Sequence, residues 1–132
     1  MNNTETISQI LALKNWAIVG LANNPDRPAF GVSKLLKAKG HRIFPVHPKA
    51  EIVHGEVGYQ SLADIPVQVD VVDCFVNSNL VGAVVDQAIA IGAKAVWLQL
   101  GVIDEAAIQR AQAAGLLTVM DRCPAIEYQR FN

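Results

Sequence analysis

Cysteine is scarce in this chain. Cys74 and Cys123 are the only two in 132 residues, too few and too far apart for a disulfide framework or a zinc knuckle, and both are expected as free thiols. Long apolar runs are also missing. No segment approaches the roughly eighteen apolar residues that a membrane span needs. Aromatic residues make up 6% of the chain and no arginine-rich segment occurs, so with a pI of 6.3 nucleic acid is a poor partner. His41, His47 and His54 share no metal-ligand spacing with one another or with acids, and no metal site is expected. Residues Met1 to Lys14 read as a capped helix rather than a basic end followed by an apolar core. A secretory signal is therefore not expected, and a cytoplasmic location is. With no linker and no low-complexity stretch, the whole chain, 1–132, reads as one domain.

What the chain has in quantity is Val, Ile, Leu and Ala in short blocks; hydrophobic residues reach 52%. That pattern fits a parallel sheet covered by helices on both faces. The most informative block is Trp16 to Leu21, which breaks at Gly20 and re-enters a helix through Ala22, Asn23, Asn24, Pro25, Asp26, Arg27 and Pro28. A strand, a glycine turn and a helix N-terminus form the phosphate-holding opening of nucleotide-binding α/β folds. Only Gly20 of a dinucleotide fingerprint is present, however, and the turn is lengthened, which weakens an ordinary NAD reading.

Helical and extended blocks alternate along the rest. A leading helix carries Ile7, Ile10 and Leu11, with Thr6 and Gln9 as its capping box. Pro28 opens the next helix, with Val32, Leu35 and Leu36 as its buried stripe and Gly40 at its end. A second strand spans Arg42 to Val46. Between Ala50 and Pro66 the pattern is irregular: Gly55 and Gly58 suggest a short edge strand, followed by a helical turn at Ser61 to Ile65. A third strand, Val71 to Val76, leads into a helix capped by Asn77 or Ser78, with Leu80, Val81, Val84, Val85, Ala88 and Ile89 inward and a stop at Gly92. A fourth strand at Ala95 to Leu98, a helix capped by Asp104 with Ile108 and Ala111 inward, and a fifth strand at Leu117 to Met120 complete the series. The fold class is α/β, a Rossmann-like doubly wound parallel sheet of about five strands.

Placing the second and first strands on one side and the other three on the opposite side makes the chain reverse at the first strand, where ligands bind in such sheets. The turns after the five strands would wall one crevice. Charge supports this. No acid lies between Asp26 and Glu51, while Arg27, Lys34, Lys37, Lys39, Arg42 and Lys49 all do. Lys34, Lys37 and Lys39 fit the wet face and C-terminal end of one helix. Arg27 and Lys49 instead sit in strand-to-helix turns. Dinucleotide-binding folds put a carboxylate after the second strand to hold ribose hydroxyls; this chain has His47, Pro48 and Lys49 there, which favours an adenosine bearing an extra phosphate, as in coenzyme A or NADP.

In its opening turn from Gly20 to Pro28, in Phe44 to Lys49, in Val69 to Asp73, in Trp97 to Gly101 and above all in Met120 to Glu127, the chain resembles the small bacterial CoA-binding proteins. These are single Rossmann-like domains related to the CoA-binding domain of the succinyl-CoA synthetase α subunit. The resemblance implies that coenzyme A is the ligand. The turn containing Gly20, Leu21, Ala22, Asn23 and Asn24 would hold the diphosphate, with Arg27 assisting. Val46, His47, Pro48 and Lys49 would lie by the adenosine and its 3′-phosphate. Phe75, Val76 and Asn77 would line the groove, and Leu98, Gln99 and Leu100 would bond the pantetheine arm. The synthetase's phosphorylated histidine belongs to a second domain that these residues do not include, so its reaction is not carried over.

The expected function is therefore binding of CoA or an acyl-CoA without a catalytic domain, as a sensor, carrier or regulatory module. The alternative is an enzyme, either NADP-dependent or transferring a thiol or acyl group through Cys123, whose thiol Arg122 would activate. Trp16 and Trp97 read as packing or interface residues and Cys74 as core. Asp73 interrupts an apolar strand, and both a water-filled strand end and a bond to a neighbouring turn fit it. The apolar content also fits self-association as a homodimer, or a protein partner covering an exposed patch.

Overall fold

A computed structural model describes residues 2–131. Five parallel strands, β1 (Asn15–Val19), β2 (Arg42–Val46), β3 (Val71–Cys74), β4 (Ala95–Leu98) and β5 (Leu117–Val119), lie in the order β2-β1-β3-β4-β5. This is the order inferred from the sequence. The helices are α1 (Thr4–Leu11), α2 (Pro28–Ala38), α3 (Ser78–Ala90), α4 (Glu105–Ala113) and α5 (Pro124–Arg130), with a 3-10 turn at Leu62–Asp64. The result is a small Rossmann-like α/β domain.

Because the strands are buried on both faces, alternate residues feed two cores. Ala17, Val19, Phe44, Val72, Cys74, Val96 and Leu98 face Val81, Val85 and Ala88 of α3 and Ile108 of α4. Trp16, Ile18, Ile43, Val71 and Trp97 face Ile10 of α1, Val32 and Leu36 of α2, and Cys123 beside α5. Trp16 and Trp97 are fully buried with ring centroids 5.9 Å apart. Each indole finds an acceptor, Trp16 Nε1–H on the Leu13 carbonyl at 2.8 Å and Trp97 Nε1–H on the Arg122 carbonyl at 2.9 Å. Both tryptophans are packing residues.

Pro45 sits inside β2, which is tolerable because β2 is an edge strand. Its carbonyl points outward to the Tyr59 N–H at 2.9 Å, so Tyr59 covers the edge. On the other side of the domain, His41 Nδ1–H donates to the Leu13 carbonyl at 2.7 Å while the Tyr128 hydroxyl meets Nε2, tying α5 to the end of α1. Burial pushes the His41 imidazole below its ordinary value, and the Leu13 bond opposes that shift only in part. The ring is therefore held neutral at physiological pH.

The structure corrects several expectations. Asn3, not Thr6, caps α1; the Asn3 side chain accepts from the Thr6 N–H at 2.7 Å. No edge strand forms at Gly55 and Gly58; Val53 and Glu56 instead close a tight turn through two backbone bonds. Leu80, expected inward, is 61% exposed, because it lies off the stripe of Val81, Val85 and Ala88 that α3 turns to the core. The run to Leu21 ends as a strand at Val19 and the run to Val76 ends at Cys74, since Gly20 and Phe75 turn the chain out of the sheet. Helix α5 adds an element to those expected, although Pro124 at its first position is a start signal. Asp73 takes neither of its two expected settings. It is fully buried, in register between Ile18 and Trp97, and neither carboxyl oxygen has a hydrogen-bond partner among the described residues. Burial pushes its carboxyl well above the usual carboxylate range.

Candidate functional site

A cleft of about 1110 Å³ opens where the strand order reverses, at the C-terminal ends of β1, β2, β3 and β4. Its floor depends on one close approach. Gly20 has φ +99°, and a Cβ there would lie 2.5 Å from the Phe75 carbonyl oxygen. The Gly20 N–H donates to the Val46 carbonyl and the Phe75 N–H to the Val19 carbonyl, each at 2.8 Å. Three strand ends are thereby locked around one glycine.

Beyond Gly20 the chain forms a compact turn. The Asn24 N–H bonds the Ala22 carbonyl at 2.8 Å, the Asn24 side chain accepts from the Asp26 N–H at 3.0 Å, and the Arg27 N–H bonds the Asn24 carbonyl at 3.1 Å. Arg27 is the N-cap residue of α2 without supplying a side-chain cap, and Pro28 follows at the first helical position. The N-terminus of an eleven-residue helix thus meets the cleft; Pro28 has no N–H and the Phe30 N–H bonds the Arg27 carbonyl at 3.1 Å, so the positive end of the helix and the Ala29 N–H are what it offers an anion. Exposed cations flank it: Arg27 on this turn and Lys49 after β2 both line the cleft. His47 Nδ1 accepts from the Lys49 N–H at 3.1 Å, which fixes the shape of the second turn.

The profile of the CoA binding domain family matches residues 14–129. The chain belongs to this family. It is 33% identical over 110 residues, 83% of its length and 82% of the relative's, to the uncharacterized protein YneT of Bacillus subtilis. Among solved structures, a hypothetical protein from Pyrococcus horikoshii superposes with a TM-score of 0.92 at 41% identity, over 97% of this chain and 91% of that one. A shorter match, 36% over 55 residues, reaches the alpha subunit of acetate-CoA ligase II (ADP-forming) from Pyrococcus furiosus; it spans 41% of this chain and 12% of the subunit.

Within the CoA binding domain the cleft gathers most of the residues singled out from sequence. Gly20, Ala22, Asn23, Asn24 and Arg27 line one wall, and Val46, His47, Pro48 and Lys49 the next. Phe75, Val76 and Asn77 follow, then Gln99 and Leu100. Leu21 and Leu98 do not join them. Both side chains are fully buried, in opposite cores. Cys123 is also buried and outside the cleft lining, and Cys74 lies in the core beside Val72. Burial pushes the Cys74 thiol well above its ordinary value.

Two side-chain contacts that shape the cleft are not apparent from sequence. Asp121 adopts φ +62°, in the left-handed region that aspartate enters more readily than most side chains, and its Oδ1 accepts from the Gly101 N–H at 2.7 Å. It thereby pins the loop after β4 that carries Gln99 and Leu100. Its sequence signal is the Met120 to Glu127 block, whose structural purpose spacing alone does not disclose. Glu51 makes the other. It lines the cleft, and its Oε1 accepts from the Asn23 N–H at 3.2 Å, so the wall read as basic carries one carboxylate on a backbone donor of the phosphate-type turn. An anion entering there must displace or repel it. Glu51→Gln is expected to tighten binding of an anionic nucleotide by roughly two- to fivefold, the scale of one exposed charge interaction; unchanged or weaker affinity in a titration would show that the carboxylate does not compete.

Proposed function

We propose that the cleft binds coenzyme A, as a binding module without chemistry of its own. The observation that carries this is the coincidence, at one strand-order reversal, of a glycine-locked turn, an uncapped helix N-terminus and two exposed cations on adjoining turns. In this assignment the diphosphate rests on the Gly20 to Asn24 backbone and the start of α2, helped by Arg27. The adenosine and its 3′-phosphate lie by His47 to Lys49, and the pantetheine arm runs past Asn77 toward Gln99 and Leu100. Family membership and the match to an ADP-forming acetate-CoA ligase subunit support the ligand class. The thiol-transfer alternative draws nothing from the cleft, because neither cysteine lines it. Sensing, carrying and regulation are each compatible with such a module.

Titration calorimetry of the ligand-free protein with CoA, dephospho-CoA and NADP tests the assignment. Loss of the 3′-phosphate is expected to weaken binding about tenfold or more, as removal of a charged hydrogen-bond partner does. Lys49→Glu should weaken CoA by a similar factor and dephospho-CoA far less, which localises the phosphate to that lysine. Silence toward CoA together with clear NADP binding would overturn the proposal.

A further inference from the structure

The charges of the cleft are segregated. Arg27, Lys49 and Glu51, the charged residues of its lining, all belong to the turns after β1 and β2. The end formed by β3, α3 and β4 has none, and its polar lining groups, among them Asn77, Gln87 and Gln99, are uncharged. At that end three large apolar side chains stand in the open. Leu80 is 61% exposed, Leu100 57% and Ile103 48%, and Leu80 and Leu100 line the cleft itself.

They come from two segments that one hydroxyl holds together. Ser78 Oγ accepts from the Ile103 N–H at 2.9 Å and donates to the Gly101 carbonyl at 3.4 Å, fastening the loop after β4 to the first turn of α3. The loop's far side is pinned by Asp121 through the same Gly101 residue. The apolar group is thus fixed on a braced rim rather than scattered over mobile loops. Burying such side chains against water is favourable in proportion to area, and an isolated exposed Leu would call for no explanation. Three at the uncharged end of one cleft do.

We propose that this rim is the seat of an acyl chain, so that the ligand class is medium-chain acyl-CoA thioesters in preference to free CoA. The inference rests on the CoA assignment above. A CoA anchored by its phosphates at the basic end directs its thiol toward Gln99 and Leu100, and a hydrocarbon continuing from that sulfur meets Leu80, Leu100 and Ile103. The occupant that fits both ends is one molecule, anionic at one end and apolar at the other.

The experiment is a calorimetric series with CoA, acetyl-CoA and octanoyl-CoA, on the protein as it stands and on Ile103→Ser, a change at an exposed residue outside the cleft lining. Full burial of a methylene is worth up to about fourfold in affinity. On an open rim about half of that free energy, or roughly twofold per methylene, is expected, so the six additional methylenes should make octanoyl-CoA bind roughly sixtyfold tighter than acetyl-CoA. Ile103→Ser should reduce that preference by roughly threefold and leave CoA itself unchanged. Equal affinity for CoA and octanoyl-CoA overturns the inference, leaves the CoA assignment intact and turns the rim over to a protein partner. Failure of all three ligands to bind removes the CoA assignment, and this inference with it.

Discussion

Gly20→Ala is expected to destabilise the fold by roughly 2–5 kcal/mol and to abolish CoA binding in whatever fraction still folds. Two penalties combine. A side chain at φ +99° costs about 1–2 kcal/mol, and a methyl group 2.5 Å from the Phe75 carbonyl oxygen must push that oxygen away, an overpacking cost of about 1–3 kcal/mol. The carbonyl cannot yield cheaply, because the Phe75 N–H is tied to Val19 and the atom met is backbone rather than the end of a flexible side chain. Moving it opens the floor on which the diphosphate is placed. Gly40 supplies the control: it has the same φ of +99°, but a methyl group there would meet nothing within 4 Å, so Gly40→Ala carries the conformational penalty alone. Urea unfolding of the two variants isolates the close approach by difference. Equal midpoints for Gly20→Ala and Gly40→Ala would show that the contact with Phe75 constrains neither fold nor site.

That glycine also shows how much of the molecule is legible in its residues. Strand order follows from alternating apolar blocks and the preference for right-handed crossovers, both of which are local or generic. The walls of the cleft then follow from the order, which is why Asn23, Arg27, Lys49, Asn77 and Gln99 group together from sequence alone. Side-chain direction is less accessible. Leu21 and Leu98 stand next to cleft residues in sequence but point into the cores, and a strand end does not announce which of two adjacent residues turns inward. Long-range pairings are less accessible still. Glu51 reaches Asn23 across 28 residues, and Asp121 reaches Gly101 across 20; both pairs depend on how irregular loops fold, for which no periodicity exists. Asn3 displaces Thr6 as the cap of α1 for a simpler reason, since both types serve as caps and two candidates three residues apart compete for one helix start.

The buried carboxyl of Asp73 should make the protein less stable as pH rises, and replacing it should reverse the trend. In the unfolded chain the group titrates near about pH 3.9; in the fold, burial without a partner raises its pKa well above that. Below about pH 4 both states hold the proton and the group contributes no pH dependence. Above that pH the unfolded chain releases the proton while the native state retains it, so the native state binds more protons and its stability falls by up to about 1.4 kcal/mol per pH unit until the raised native value is reached. Asp73→Asn keeps the shape and polarity but cannot ionise. It should match the parent near pH 4 and exceed it by a margin that widens as the pH is raised to 7. Asp73→Val, which also removes the desolvated polar atoms between Ile18 and Trp97, should add a further gain of about 1–3 kcal/mol, less any strain from its greater bulk. Unfolding free energies of the three proteins at pH 4 and pH 7 decide the matter. A parent-to-Asn difference that is the same at both pH values would mean that Asp73 ionises as readily in the fold as out of it. The sign matters for the proposed function as well, because a carboxyl that ionises at this depth would set a negative charge behind the strand end that leads to Phe75, Val76 and Asn77, which line the cleft proposed for an anionic ligand.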